Sequence, residues 1–324
     1  MQSEAAQTVR TPTTVSVEAP RERTTTQWHN VIALVAIHLI TAATIAYEVT
    51  WKLVLIAFGT YVLRMFAITG VYHRYFSHRT YKTSRAFQLF LAFLGTTATQ
   101  KGPLWWAAAH RLHHKHSDTE RDLHSPARRG FWYSHIGWWL GREHERTHFE
   151  MIPDFAGYPE LRWLDKHYLI GPWTLGIVGG LLFGVQGGLW AYFVSTCFLL
   201  HATFTINSLA HVWGSRRYAT KDTSRNNFWL ALLTMGEGWH NNHHHYMSST
   251  NQGFFWWEID ITYYILKVLE KLGLVWDLRR PPERILRKDL IADAGERCPL
   301  LTDKPTATNE HEDQTNAAPV IDVA

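Results

Sequence analysis

The sequence predicts an all-α integral membrane protein: four transmembrane helices in two hairpins, with a cytoplasmic helical cap that gathers clustered histidines. Two observations carry this prediction. Apolar residues are clumped into blocks of nearly membrane-spanning length, although the mean hydropathy of the chain is only −0.19. The 20 histidines concentrate beside those blocks, twice in His-x-x-His-His spacing.

Residues 1–27, rich in Thr, Ser, Pro, Glu and Arg without apolar periodicity, read as a disordered tail. The membrane domain covers 28–294, and 295–324 reads as a second polar, disordered tail. Trp28 sits where an interfacial aromatic belongs. Residues 31–49 are apolar and long enough to cross a hydrocarbon layer of about 30 Å. His38 lies inside this block without neighbouring ligands and reads as a helix-interface or lipid-facing residue. The short joint 49–52 leads to a second span, 53–72, which implies an antiparallel helix pair. Arg64 within that span is costly in lipid and should face protein or snorkel outward. Residues 86–100 are apolar but short and studded with Thr and Gln, which predicts an interfacial or re-entrant helix. Gly102-Pro103 breaks it, and a new helix begins near Leu104.

Residues 115–167 are charged and aromatic, a water-side segment. Span 168–185 is Gly-rich, which favours close helix packing. Gln186-Gly187-Gly188 turns the chain into the fourth span, 189–209. A helix at 226–235 and an amphipathic stretch at 255–272 follow. Loops 49–52 and 186–188 carry almost no Lys or Arg, so the positive-inside rule places both termini and all histidine clusters in the cytoplasm. The N-terminus lacks a signal-peptide pattern. A net charge of +4 without a dense basic stripe excludes nucleic-acid binding as an expectation. The 2 cysteines, Cys197 and Cys298, offer neither ligand spacing nor a disulfide framework. Any metal must therefore be held by histidine.

Positions i, i+3 and i+4 share one helical face. His110, His113 and His114 therefore converge, as do His240, His243 and His244. His73 and His78 are separated by about 100° × 5, or roughly 140° of net rotation. They can share a target only if their helix ends or distorts between them. Asn207 and His211 are i, i+4 at the end of the fourth span and face one way. The nine histidines 73, 78, 110, 113, 114, 211, 240, 243 and 244 exceed what one ion can use. Two ions sharing four to five ligands apiece fit. Neutral imidazole suits iron, and iron with open positions handles O₂ chemistry. His116, Asp118, Asp122, His124, His135 and Glu237 are candidates to orient those rings by accepting their outer N–H bonds. His245, at i+5 from His240, should point elsewhere. His29, His144, His148, His167, His201 and His311 read as structural.

With these residues assembled, the chain resembles the membrane fatty-acyl desaturases, specifically the Δ9 acyl-CoA or acyl-lipid group, from about Leu53 to Arg280. The motifs are HRYFSH (73–78), HRLHHKHSD (110–118), SHIGW (134–138), NSLAH (207–211) and EGWHNNHH (237–244). The resemblance implies that the nine histidines hold two iron ions, with Asn207 reaching one through water. It also implies a bent acyl tunnel and a reaction that uses O₂ and two electrons to leave a cis double bond in a C16 or C18 chain. Gln100 and Trp106 match tunnel-lining positions, and Tyr61 matches the tunnel's blind end. Met65 replaces a small residue there, from which a shortened tunnel and a palmitoyl preference are expected. Ala108 and Ala109 stand where animal acyl-CoA members carry Arg-Asp, which keeps an acyl-lipid substrate open beside acyl-CoA. No His-Pro-Gly-Gly haem segment is present, so a separate ferredoxin, flavin reductase or cytochrome b5 should supply electrons. A membrane di-iron hydroxylase shares the histidine pattern and would yield an alcohol. A metal or haem carrier has no use for nine imidazoles.

Overall fold

The computed structural model describes residues 25–291, and the predicted tails 1–27 and 295–324 fall almost wholly outside them. Helix α1 is Trp28–Tyr47 and α2 is Trp51–Phe66, begun by Thr50, whose hydroxyl accepts from Leu53 N. At 1.5 Å per residue, the 20 residues of α1 extend about 30 Å. α2 runs on as a π-helix, Ala67–Ser77. Then come β1 (Lys82–Thr83), α3 (Arg85–Thr96), α4 (Pro103–His116), a run of short turns, and α5 (Pro159–Lys166). α6 is Ile170–Leu189; a π-turn, Trp190–Val194, joins it to α7 (Ser195–Asn207). α8 (Phe228–Leu233), α9 (His240–His245), α10 (Ile261–Lys271), β2 (Val275–Trp276) and a short last helix, Glu283–Arg287, follow. The two strands pair antiparallel, Lys82 opposite Trp276.

Among the described residues, three helices are long and apolar enough to cross a membrane: Trp28–Tyr47, Trp51–Ser77 and Ile170–His211, the last of 42 residues. Their outer faces are greasy; Leu181 is 81% exposed and Val185 77%. The 42-residue helix is not straight. Gly184 sits at φ 73° and ψ 176°, a backbone region essentially confined to glycine. Beyond it the chain folds back, so that a Cβ added at Gly188 would lie 2.8 Å from Gly180 N. The reversal thus falls at Gly184, earlier than the expected turn at 186–188, and glycines on both arms permit the close approach. The joint 48–50 also reverses the chain, but α1 and α2 meet chiefly through a third segment, Trp190–Val194, on which both pack. α3 has 12 residues, too short to cross.

Arg64 is fully buried and faces protein, as its cost in lipid requires. It donates to Thr97 O, Ser195 Oγ, Thr99 Oγ1 and Thr196 Oγ1, tying α2 to α7 and the loop after α3. Asp165 on α5 accepts from Leu104 N and Trp105 N, both at 2.9 Å, and so caps α4 where Pro103 begins it. Arg111 on α4 forks onto Asp154 at 2.8 Å and donates to Phe76 O and Ser77 O. The helix of the second histidine cluster is thereby fastened to the end of the helix carrying the first.

Candidate metal centre

The π-helix resolves the i, i+5 problem at His73 and His78. An α-helix would turn them apart, whereas a π-turn bonds residue i+5 back to i. His78 N donates to His73 O at 3.2 Å, and the two ring centroids stand 4.9 Å apart. Distortion within the helix, rather than its end, brings both rings to one side.

α9 is a helix of six residues whose orientation is set by the two asparagines between its histidines. Asn241 Oδ1 accepts from Arg217 N and Tyr218 N at 2.8 Å. Asn242 Oδ1 accepts from Asn226 Nδ2 at 2.7 Å, and its amide donates to Gln252 O and Glu258 Oε2. Both are fully buried. With the asparagines anchored on one side, His240, His243 and His244 project to the other.

All nine expected histidines come together, in two groups. His73, His78, His110, His114 and His243 form one; His113, His211, His240 and His244 form the other. Within each group one nitrogen per ring lies within 4.8 Å of every other. The inner nitrogens face one another: His73 and His243 Nε2 at 3.0 Å, His78 and His110 at 2.9 Å, His211 and His240 at 3.1 Å. Four of the outer nitrogens are tied to acids, one of them through a threonine. His113 Nδ1 donates to Asp122 at 2.8 Å, His244 Nδ1 to Asp222 at 2.8 Å, and His73 Nδ1 to Glu237 at 2.5 Å. His211 Nδ1 donates to Thr223 Oγ1 at 3.2 Å, and Thr223 in turn donates to Asp118.

These bonds fix the tautomers. A ring that gives its Nδ1 proton to a carboxylate presents a bare lone pair at Nε2. His113 Nε2 and His244 Nε2 are buried with no hydrogen-bond partner, which is costly unless a cation meets them. Burial pushes His78, His110, His114, His240 and His243 well below the ordinary imidazole value. Burial also lowers His244, to about 4, against the opposing pull of Asp222. Burial acts on His113 in the same direction, but Asp122 outweighs it and the net direction is up. Asp118, Asp122 and Asp222 are held below the usual carboxylate range by their histidines despite burial. Buried, mostly neutral rings with convergent lone pairs are a donor set suited to metal ions, and the residues fit two of them.

The remaining expected positions divide. Asp118, Asp122 and Glu237 reach the rings. His124 stacks on His113, with centroids 4.3 Å apart, and makes no hydrogen bond to the nine through its buried Nδ1. The His116 ring makes no hydrogen bond among the described residues; its carbonyl accepts from Thr119. His135, at the end of a short helix (Phe131–His135), turns away to Ser208 Oγ and His201. His245 stacks on Tyr218, away from the clusters. Asp222 was not among the expected acids, although it is a direct partner of His244. The sequence separates it from α9 by α8 and its flanking loops, and no spacing links them.

Asn207 lines a cavity beside the first group, with Gln100, Trp106, His110, His124 and Thr203. Trp106 Nε1 donates to Gln100 Oε1 at 3.2 Å, and Gln100 Nε2 donates to Thr203 Oγ1 at 3.0 Å. Tyr61 and Met65 lie elsewhere on α2: Tyr61 donates to Leu233 O at 2.6 Å, and Met65 is buried in the core.

The family model described as "Fatty acid desaturase" matches residues 49–278. A Delta-9 acyl-lipid desaturase 1 from Arabidopsis thaliana is 39% identical over 249 residues, 75% of this chain and 80% of that protein. The Arabidopsis thaliana chloroplastic palmitoyl-monogalactosyldiacylglycerol delta-7 desaturase is 33% identical over 257 residues, covering 78% and 69%. An acyl-CoA C20 Delta5-desaturase from Anemone leveillei is 35% identical over 247 residues, covering 74% and 78%. The match covers most of the chain and contains the histidine clusters, so the chain belongs to the fatty acid desaturase family and is an oxidoreductase of lipid metabolism.

Proposed function

We propose that the chain is a multi-pass membrane Δ9 desaturase that places a cis double bond in a saturated C16 or C18 acyl chain. In this reading the nine histidines hold two iron ions, with Asn207 assisting through water. Bound iron supplies O₂-dependent redox chemistry that removes two hydrogens, with two electrons from a separate donor protein: a ferredoxin, a flavin reductase or cytochrome b5. The single observation that carries the reading is the division of nine convergent imidazoles into groups of five and four.

The chain's own residues supply position and exclusion of water. Asp118, Asp122, Asp222 and Glu237 hold the rings in one tautomer and orientation. Gln100, Thr203 and Trp106 brace one wall of the small cavity beside the first group by hydrogen bonds. We count four membrane crossings, because the fold-back at Gly184 divides the 42-residue helix into two. All histidines and both termini then lie on one side, the cytoplasmic side by the positive-inside rule.

The Δ9 position and the C16/C18 preference rest on resemblance, since relatives of similar identity are named for Δ5 and Δ7. The acyl carrier is CoA or a membrane lipid. The test is expression in a desaturase-deficient host, with fatty acids profiled by double-bond position separately in CoA and phospholipid pools. The expected product is a Δ9 monoene that disappears with His113→Ala. A hydroxylated chain would overturn the reading in favour of a hydroxylase, and an unchanged profile in favour of a carrier.

A further inference from the structure

A second kind of convergence lies inside the membrane-spanning helices and was invisible in sequence, where His38 and His201 are 163 residues apart. Cys197 and His201 stand i, i+4 on α7, hence on one face. His38 on α1 meets them across the helix interface. Its Nε2 lies 2.8 Å from His201 Nε2, and a ligand atom of each of the three residues lies within 4.8 Å of the others.

Proton bookkeeping across this contact leaves a gap. His38 Nδ1 is 2.7 Å from Leu34 O, a carbonyl that only accepts, so His38 carries its proton on Nδ1. At the other end, Ser208 Oγ donates to Phe204 O at 2.9 Å and therefore accepts from His135 Nδ1 at 3.0 Å. His135 Nε2 is then bare and accepts from His201 Nδ1 at 3.1 Å. Both neutral rings, His38 and His201, end with lone pairs at Nε2 pointed at each other. Two lone pairs at that distance repel unless a cation joins them.

A proton would join them, but it would leave an imidazolium among membrane helices. No Asp or Glu occurs in Trp28–Tyr47 or in 190–211 to balance it. A monovalent metal ion with the Cys197 thiolate makes a site of zero net charge. Soft thiolate beside imidazole selects copper(I).

We propose that His38, Cys197 and His201 form a third metal site, within the membrane-spanning part of the protein, for one copper(I) ion. The site rests on none of the nine histidines, so it stands or falls apart from the desaturase reading. Two metal–nitrogen bonds of about 2.0–2.1 Å along these lone-pair axes hold the nitrogens farther apart than 2.8 Å, so loading the ion parts the two rings. Bound there, the ion clamps α1 to α7. Through His201, His135 and Ser208 the clamp reaches the end of α7, where Asn207 sits.

The experiment titrates copper(I), anaerobically and against a chromophoric chelator, into the purified full-length protein in detergent with its iron already loaded. Wild type is expected to take one copper per chain beyond its iron. Cys197→Ser and His38→Gln should each weaken that site by about a hundredfold or more, the upper range for losing even an outer partner of a ligand. X-ray absorption at the copper edge should show sulfur and nitrogen neighbours in wild type, and no sulfur in Cys197→Ser. Unchanged iron content and thermal transition in Cys197→Ser would establish that the variant is folded. Equal copper uptake by wild type and both variants, or uptake without a sulfur neighbour, would overturn the proposal.

Discussion

His113 Nδ1 lies 2.8 Å from Asp122 Oδ1, with both side chains shut off from solvent. The bond decides which nitrogen of the ring faces inward, and Asp222 does the same for His244 at 2.8 Å. Both acids serve the group of four histidines, whereas Glu237 serves His73 in the group of five. Asp122→Asn and Asp222→Asn should therefore each weaken metal retention by that group about 10- to 100-fold, leaving the group of five filled. After dialysis against a chelator, iron per chain should fall to about half of wild type in either variant. Full retention in both would show that the carboxylates do not set the rings.

Asp165 supplies the acceptor for the first two free N–H groups of α4, the helix that carries His110, His113 and His114. Asp165→Ala strips both bonds inside a buried joint and should cost about 0.5–2 kcal/mol. Asp165→Asn keeps a carbonyl oxygen in place and should lose less. Thermal unfolding in detergent, followed by circular dichroism, ranks the three proteins. An Ala variant as stable as wild type would mean that α4 is capped by other groups.

Much of this site was legible because its ligands sit at helical spacing. His110, His113 and His114 could be placed on one face from period alone, and so could His240, His243 and His244. The i, i+5 pair at 73 and 78 demanded a distortion, which the structure supplies as a π-helix. The unread parts depend on chain reversals. Asp222 reaches His244 from a loop, His38 reaches His201 across a helix interface, and His135 swings away from the clusters with its short helix. The reversal within α6 falls at Gly184 rather than at 186–188, because Gly184 and Gly187-Gly188 carry the same signal in sequence and only φ distinguishes a turn from a contact.

Lys101, between α3 and α4, is pushed by burial from the ordinary 10.5 down to about 8. Its ammonium sits 4.2 Å over the Trp105 ring and donates to His144 O at 3.2 Å. In the unfolded chain the same group holds its proton to a higher pH, so between pH 8 and 10.5 the unfolded state binds more protons. Stability should accordingly rise with pH across that window on account of this residue. Lys101→Met should flatten that part of the slope. Denaturation midpoints of wild type and variant at several pH values supply the check, and parallel slopes would remove Lys101 as the cause.

Met65 is 1% exposed and packs with Val71 and Leu199 in the core that surrounds α2. If this side chain blocks the far end of the acyl tunnel, its three terminal heavy atoms occupy about the room that two further methylenes need. Met65→Ala should then shift product from C16 toward C18 monoenes. Met65→Leu, which conserves volume, should keep the C16 preference. The Ala variant should also lose about 2–5 kcal/mol from the cavity left behind. Product ratios must therefore be compared at a temperature where both variants retain their full iron. A C16/C18 ratio that stays the same in Met65→Ala under those conditions would place the end of the tunnel elsewhere, with Tyr61 and its bond to Leu233 O the next position to alter.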